Sequence, residues 1–227
     1  MKVLAIILAL KLAGGVPVGS DWHATWRLFD VDPAIAESVV WPEMQLYCGM
    51  RDKLEASADY DSYVSGIGNF DFSIGIFQMK PSFVEKLENA WMDSGFADFY
   101  DLRFDVSDGA SARGARLSRM GSGSWQVIYL AMFMRLLYRS YGSFDDTGAR
   151  LQEGIESLPV EDQVRLSATA YNRGCAWTDA GCGSIEALRA HSDVVSFPRV
   201  IIRTSATRQY CYATLAWEHY QTIAGKQ

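Results

Sequence analysis

The segment Trp125–Tyr138 constrains this chain more than any other. It is apolar along nearly its whole length, interrupted only by Gln126 and Arg135. A helix that is apolar on almost every side has no water-facing stripe and is stable only when other elements surround it. About 20 consecutive apolar residues are needed to cross a bilayer, and this run is shorter and carries two polar side chains. It predicts a buried central helix, capped by Ser122 or Ser124, with the other helices assembled around it.

The other helices are signalled at their starts. Asp32-Pro33 opens one, with Asp at the cap and Pro at the first helical position. Its apolar residues Ile35, Ala36, Val39 and Val40 follow, Pro42 marks a kink or restart, and helix extends to about Glu55. Residues 57–72 read as a loop or short hairpin. Lys80-Pro81-Ser82 begins another helix through Phe83, Val84, Leu87 and Trp91, and the Gly-rich stretch 93–123 reads as an irregular excursion. Helices are expected from about Val160 to Asn172, at Ser184–Ala190, and from about Thr207 to the C-terminal end. No internal repeat or linker separates these segments, so the expectation is one mainly α domain with a small loop or hairpin region.

Composition narrows the function. With 227 residues, 49% of them hydrophobic, the chain is long enough to bury a core of its own. Its 27 acidic residues against 21 basic give a net charge of −6 with no Lys/Arg block. Nucleic acid is therefore not the expected partner, because phosphate binding needs a concentrated basic face. Residues 1–20 combine Lys2, the apolar run Val3–Leu10 and small residues up to Ser20, which is the pattern of a secretory signal. The expected mature chain is 21–227, secreted or periplasmic, monomeric, with no transmembrane segment. Export makes Cys48, Cys175, Cys182 and Cys211 candidates for two disulfides, with three pairings open. Cys175–Cys182 and Cys48–Cys211 are the expected pairs, against four free buried thiols. The three histidines stand at no usual zinc spacing from these cysteines, so neither a metal nor another cofactor is expected.

Three segments carry chemistry. Glu43 falls on the face of the first strong helix that also holds Ala36, Val39, Val40 and Tyr47. A carboxyl group held among apolar side chains is disfavoured in its charged form and can serve as a general acid. The competing reading makes Glu43 a capping carboxylate that faces water after Pro42. Phe72–Pro81 is a tight turn before a helix, in which Gly75 would admit a polymer to the backbone and Gln78 would meet a sugar or orient the acid; equally, it is a plain strand-to-helix turn. Ala168–Gly174 reads as a helix end, with Tyr171 and Asn172 in its last turn and Gly174 as the cap.

Taken together, the order Asp-Pro…Glu, Gly-Ile-Phe-Gln-Met-Lys-Pro and Ala-Tyr-Asn-Arg-Gly resembles the lysozyme-like superfamily, lytic transglycosylases and goose-type lysozymes in particular, over roughly residues 31–220. The resemblance implies a lysozyme-like α+β fold and makes Glu43, ten residues after Pro33, the catalytic acid. Ser73, Gly75, Gln78, Tyr171 and Asn172 would then bind the substrate, glycan strands of peptidoglycan. Glu43 is followed by Met44, whereas many transglycosylases carry Glu-Ser, and that pair occurs here earlier, as Glu37-Ser38. Glu55, beside Arg51, reads as an ion-paired structural carboxylate. A hydrolase needs a second carboxyl group, and Asp59, Asp61 and Asp71 have no context that marks one. The resemblance thus implies a single-Glu transglycosylase giving 1,6-anhydro products; a hydrolytic muramidase and a non-catalytic glycan-binding module are the alternatives.

Overall fold

A computed structural model describes residues 20–46, 61–67, 72–141, 143–144, 150–152, 154–173, 184–192, 196–201 and 206–225. The described chain is mainly helical and divides into two compact units, Met1–Pro33 with Glu43–Leu136, and Ala34–Pro42 with Leu137–Gln227.

In the first unit α1 (Ser20–Leu28) leads through Asp30, at a φ of 53°, toward α2 (Pro33–Leu46), whose residues Ala34–Pro42 belong to the second unit. Then come α3 (Pro81–Asp93), the single turn α4 (Phe96–Phe99), α5 (Ala110–Met120) and α6 (Gly123–Tyr141). The expected central helix is α6: Gln126–Met134 are all buried, as are Leu136–Tyr138. Gln126 N–H closes its first turn onto the Ser122 carbonyl, so the helix starts where the serines predict. Phe83 packs on Phe133 of this helix, and Trp26, Phe29, Val84, Leu87 and Trp91 are buried in the same unit. The two indoles are satisfied, Trp26 Nε1 donating to Val127 O at 3.1 Å and Trp91 Nε1 to Leu102 O at 3.0 Å. Burying such rings contributes about 2–3 kcal/mol each.

Three expectations for this stretch need correction. Residues 93–123 are not simply irregular, because α5 occupies 110–120. Gly109 and Gly121 stand at its two ends, and Ala112, Arg116, Leu117 and Met120 form its buried stripe. Residues 61–65 form a helical turn instead of a hairpin, with Ser65 Oγ donating to the Asp61 and Ser62 carbonyls. Finally, α2 runs unbroken through Pro42, which deprives only the Ser38 carbonyl of its helical N–H.

The second unit contains a short antiparallel pair, β1 (Ser143–Phe144) with β2 (Arg150–Gln152), and a 3-10 turn at Ile155–Ser157. These lead to α7 (Val160–Arg173) and α8 (Ile185–Ser192). Ser184 Oγ accepts the Ala187 N–H at 3.1 Å and so caps α8, which lies where a helix over Ser184–Ala190 is expected. A second antiparallel hairpin follows, β3 (Ser196–Ile201) with β4 (Ala206–Tyr210), then α9 (Tyr212–Ala224). Thr207 therefore lies in a strand paired with Val200, and the last helix begins five residues later than its periodicity suggests. α7 buries Val164 and Leu166–Tyr171, and α9 packs along it, with Arg165 Nη1 donating to Thr214 Oγ1 at 3.3 Å.

Candidate functional site

Glu43 sits in the last turns of α2 with 8% of its surface exposed, and Ala36, Val39 and Val40 are fully buried. The water-facing cap reading is overturned, because the helix does not restart at Pro42 and the carboxylate is not in a first turn. The alternative acid, Glu37, is engaged elsewhere. His219 Nε2 stands 3.0 Å from its Oε1, and the His219 ring stacks on Trp41 at 3.8 Å between centroids. Glu55, Asp59 and Asp71 lie outside the described residues; Asp61 is exposed at the start of the 61–65 turn.

The Gly-Ile-Phe-Gln turn is built from both ends. Ile74 N–H donates to Met79 O at 2.8 Å and Met79 N–H to Ile74 O at 3.1 Å, pinching 75–78 into a tight loop. Gly75 has φ +75° and Gln78 φ +52°, in the left-handed region that glycine enters without steric cost. Gln126 reaches this loop from α6: its Oε1 accepts the Phe77 N–H at 2.9 Å, while its Nε2 donates to Ile74 O at 3.2 Å and Met120 O at 2.6 Å.

This changes the reading of Gly75. A Cβ there would stand 1.4 Å from Gln126 Nε2, so the close approach that glycine permits is made by a side chain of the protein itself, and Gly75 is buried. Gln78 is also partly turned inward, its Nε2 donating to Gly75 O at 2.7 Å; Oε1 remains to accept from a hydroxyl. Ser73 is half-buried just before the pinch. Ser73, Gly75 and Gln78 thus share one loop, and Gln126 organises it. That residue was visible as a lone amide in the most apolar helix, where an unpartnered polar group would be costly.

Tyr171 and Asn172 lie in the last turn of α7, Tyr171 buried and Asn172 half-exposed; Gly174 lies outside the described residues. Asn172 lines a cleft of about 30 Å³ within the second unit, with Thr169, Arg173, His191, Ser192, Tyr212 and Ala213. Cys211, just before α9, is a free thiol whose Sγ–H donates to Ser192 O at 3.0 Å. Cys48, Cys175 and Cys182 are outside the described residues.

A second feature that the sequence reading missed is a charged cluster in the first unit. Glu88 is fully buried and accepts from Arg116 Nε at 2.9 Å, Arg119 Nη2 at 2.7 Å and Tyr129 OH at 2.5 Å. Arg116 also donates to Tyr63 OH at 2.7 Å and to Glu85 at 3.2 Å, while Arg119 lies over the rings of Phe104 and Trp125. Burial, reinforced by the Glu88 charge, holds the Tyr129 phenol well above its usual range. Every formal charge in the cluster has a partner, which marks it as scaffold. Among the described residues no group of three or more His, Cys, Asp or Glu side chains is gathered as a metal would require, and no helix is long and apolar enough to cross a membrane.

Compared with protein-family models, curated proteins and solved structures, the chain matches none.

Proposed function

We propose that the chain is a lysozyme-like enzyme that cleaves the glycan strand of peptidoglycan as a lytic transglycosylase, with Glu43 as its single acid and base. The observation that carries this reading is the burial of the Glu43 carboxyl group near the end of a helix opened by Asp32-Pro33. In its protonated form Glu43 gives its proton to the glycosidic oxygen as the bond to the anomeric carbon breaks. The resulting carboxylate then takes the proton of the sugar's C6 hydroxyl as that oxygen closes onto the anomeric carbon. The bound sugar supplies its own nucleophile at fixed geometry, so neither water nor a second carboxylate is consumed.

In this reading Gln78 Oε1, in the same unit as Glu43, accepts from a sugar hydroxyl, and residues 1–20 direct export. A glycan-binding module without turnover is the second reading. Digestion of purified peptidoglycan followed by mass analysis of the fragments separates the readings. Fragments one water lighter than reducing-end products are expected. Reducing ends would mean a hydrolase, and intact strands the binding module.

A further inference from the structure

Gln126 sits in the first turn of α6 with 1% of its surface exposed, where an amide without partners would be costly. Its Oε1 accepts the Phe77 N–H at 2.9 Å, and its Nε2 donates to two carbonyl oxygens, Ile74 at 3.2 Å and Met120 at 2.6 Å. Only this orientation of the amide works, because the flipped one would set oxygen against two oxygens and N–H against N–H. Two of the three bonds reach the pinched loop, 49 and 52 residues away in sequence.

Burial alternates along that loop. Gly75, Phe77 and Met79 are buried, and Ile76 and Gln78 between them are half-exposed. Phe77 is gripped twice: its N–H by Gln126, and its ring by Trp22 of α1, edge-on at 5.2 Å between centroids. Gln78 follows at a φ of +52°, a conformation that a residue with a side chain holds only where its neighbours impose it. Its Nε2 turns back to Gly75 O, which leaves Oε1 to accept from a ligand. Gln126 thus acts on Gln78 through Phe77, its chain neighbour, and all of these residues belong to the unit that holds Glu43.

We propose that Gln126 is a positioning residue: it holds Phe77 before the glycan arrives, so that Ile76 and Gln78 are already posed for a sugar ring. The role rests on the glycan-cleaving reading, in which Gln78 Oε1 meets a sugar hydroxyl. A loop ordered beforehand loses little freedom on binding, so its ordering strengthens affinity. Proton transfer by Glu43 does not pass through the loop, so the effect falls on KM and leaves kcat.

Cleavage of soluble, uncrosslinked peptidoglycan strands by wild type, Gln126→Leu and Gln126→Glu tests this, at a temperature where circular dichroism shows each folded. Gln126→Leu should raise KM about tenfold, with kcat within about twofold and the pH profile of kcat unchanged. In Gln126→Glu the neutral acid can accept from Phe77 and donate to one carbonyl, whereas the carboxylate faces two oxygens. Its KM relative to wild type should therefore be near one at about pH 5 and climb toward the leucine value by about pH 8. Hydrogen exchange on the wild type needs no variant: the Phe77 N–H should be protected before strands are added. Protection that appears only with strands, a wild-type KM in Gln126→Leu, or a fall in kcat with KM unchanged would overturn the role. Strands bound but not cleaved would count against the reaction, with Kd taking the place of KM in the same comparison. Strands neither bound nor cleaved by wild type would overturn the glycan reading and this role with it.

Discussion

The two units use their cations in opposite ways. In the first, Arg116 and Arg119 are wrapped around Glu88, Glu85, Tyr63 and Tyr129 until each charge is matched. In the second, Arg173 and His191 border a small cleft and meet no carboxylate among the described residues. A matched buried cluster is a structural commitment, since removing any member strands the rest in a medium that does not solvate them. An unmatched cation at a rim costs the fold little and remains available to a ligand. The same residue type is paired scaffold in one unit and, among the described residues, unpaired in the other.

The contrast is broken most severely at Glu88. Glu88→Gln leaves the buried Arg116 and the half-buried Arg119 facing a neutral amide and should cost about 3–5 kcal/mol, read as a shift in the urea midpoint. Unchanged stability would mean that the cluster is no scaffold.

Gly75→Ala comes next. The new Cβ would displace the Gln126 amide from three hydrogen bonds and would hold alanine at positive φ, a combined loss of about 2–4 kcal/mol. If a polymer, and not Gln126, were what the glycine admits, the same variant would keep its stability and lose only substrate affinity.

A smaller effect is expected with pH. Burial raises the phenol pKa values of Tyr63, Tyr100, Tyr129 and Tyr141 above the ordinary 10.0, so the folded state holds these protons more tightly than the unfolded chain. Their contribution to stability is complete below about pH 10 and is lost as pH rises past it toward the folded values. Unfolding followed from pH 8 to 11 should show that fall, with a shallower slope in Tyr129→Phe. The smallest change belongs to the rim: Arg173→Gln should alter stability by no more than about 0.5 kcal/mol. A large loss would place Arg173 with the scaffold.

Much of this architecture was legible in the residue order. The all-apolar run gave the central helix, and Asp32-Pro33, Lys80-Pro81 and Ser184 gave three helix starts, because caps and imino acids act locally. Four features depended on more than local sequence. Gly-rich stretches read as irregular until it is known that Gly109 and Gly121 mark the ends of α5. Thr207 reads as helix until its strand finds Val200. The burial of Glu43 followed from helical phase, whereas the service of Gln126 to a loop 50 residues away had no local signature. The Glu88 cluster was hidden for the same reason, since a carboxylate in an amphipathic helix looks solvated until Arg116 and Arg119 arrive from α5.

The central claim concerns Glu43, and one comparison tests it: wild type, Glu43→Gln and Glu37→Gln, each incubated with purified peptidoglycan and the fragments weighed. The near-isosteric Glu43→Gln should keep its thermal transition within a few degrees and release no 1,6-anhydro fragments, while Glu37→Gln, which removes only the carboxylate facing His219, should still release them. Anhydro products from Glu43→Gln at the wild-type rate, or their loss in Glu37→Gln alone, would contradict the assignment.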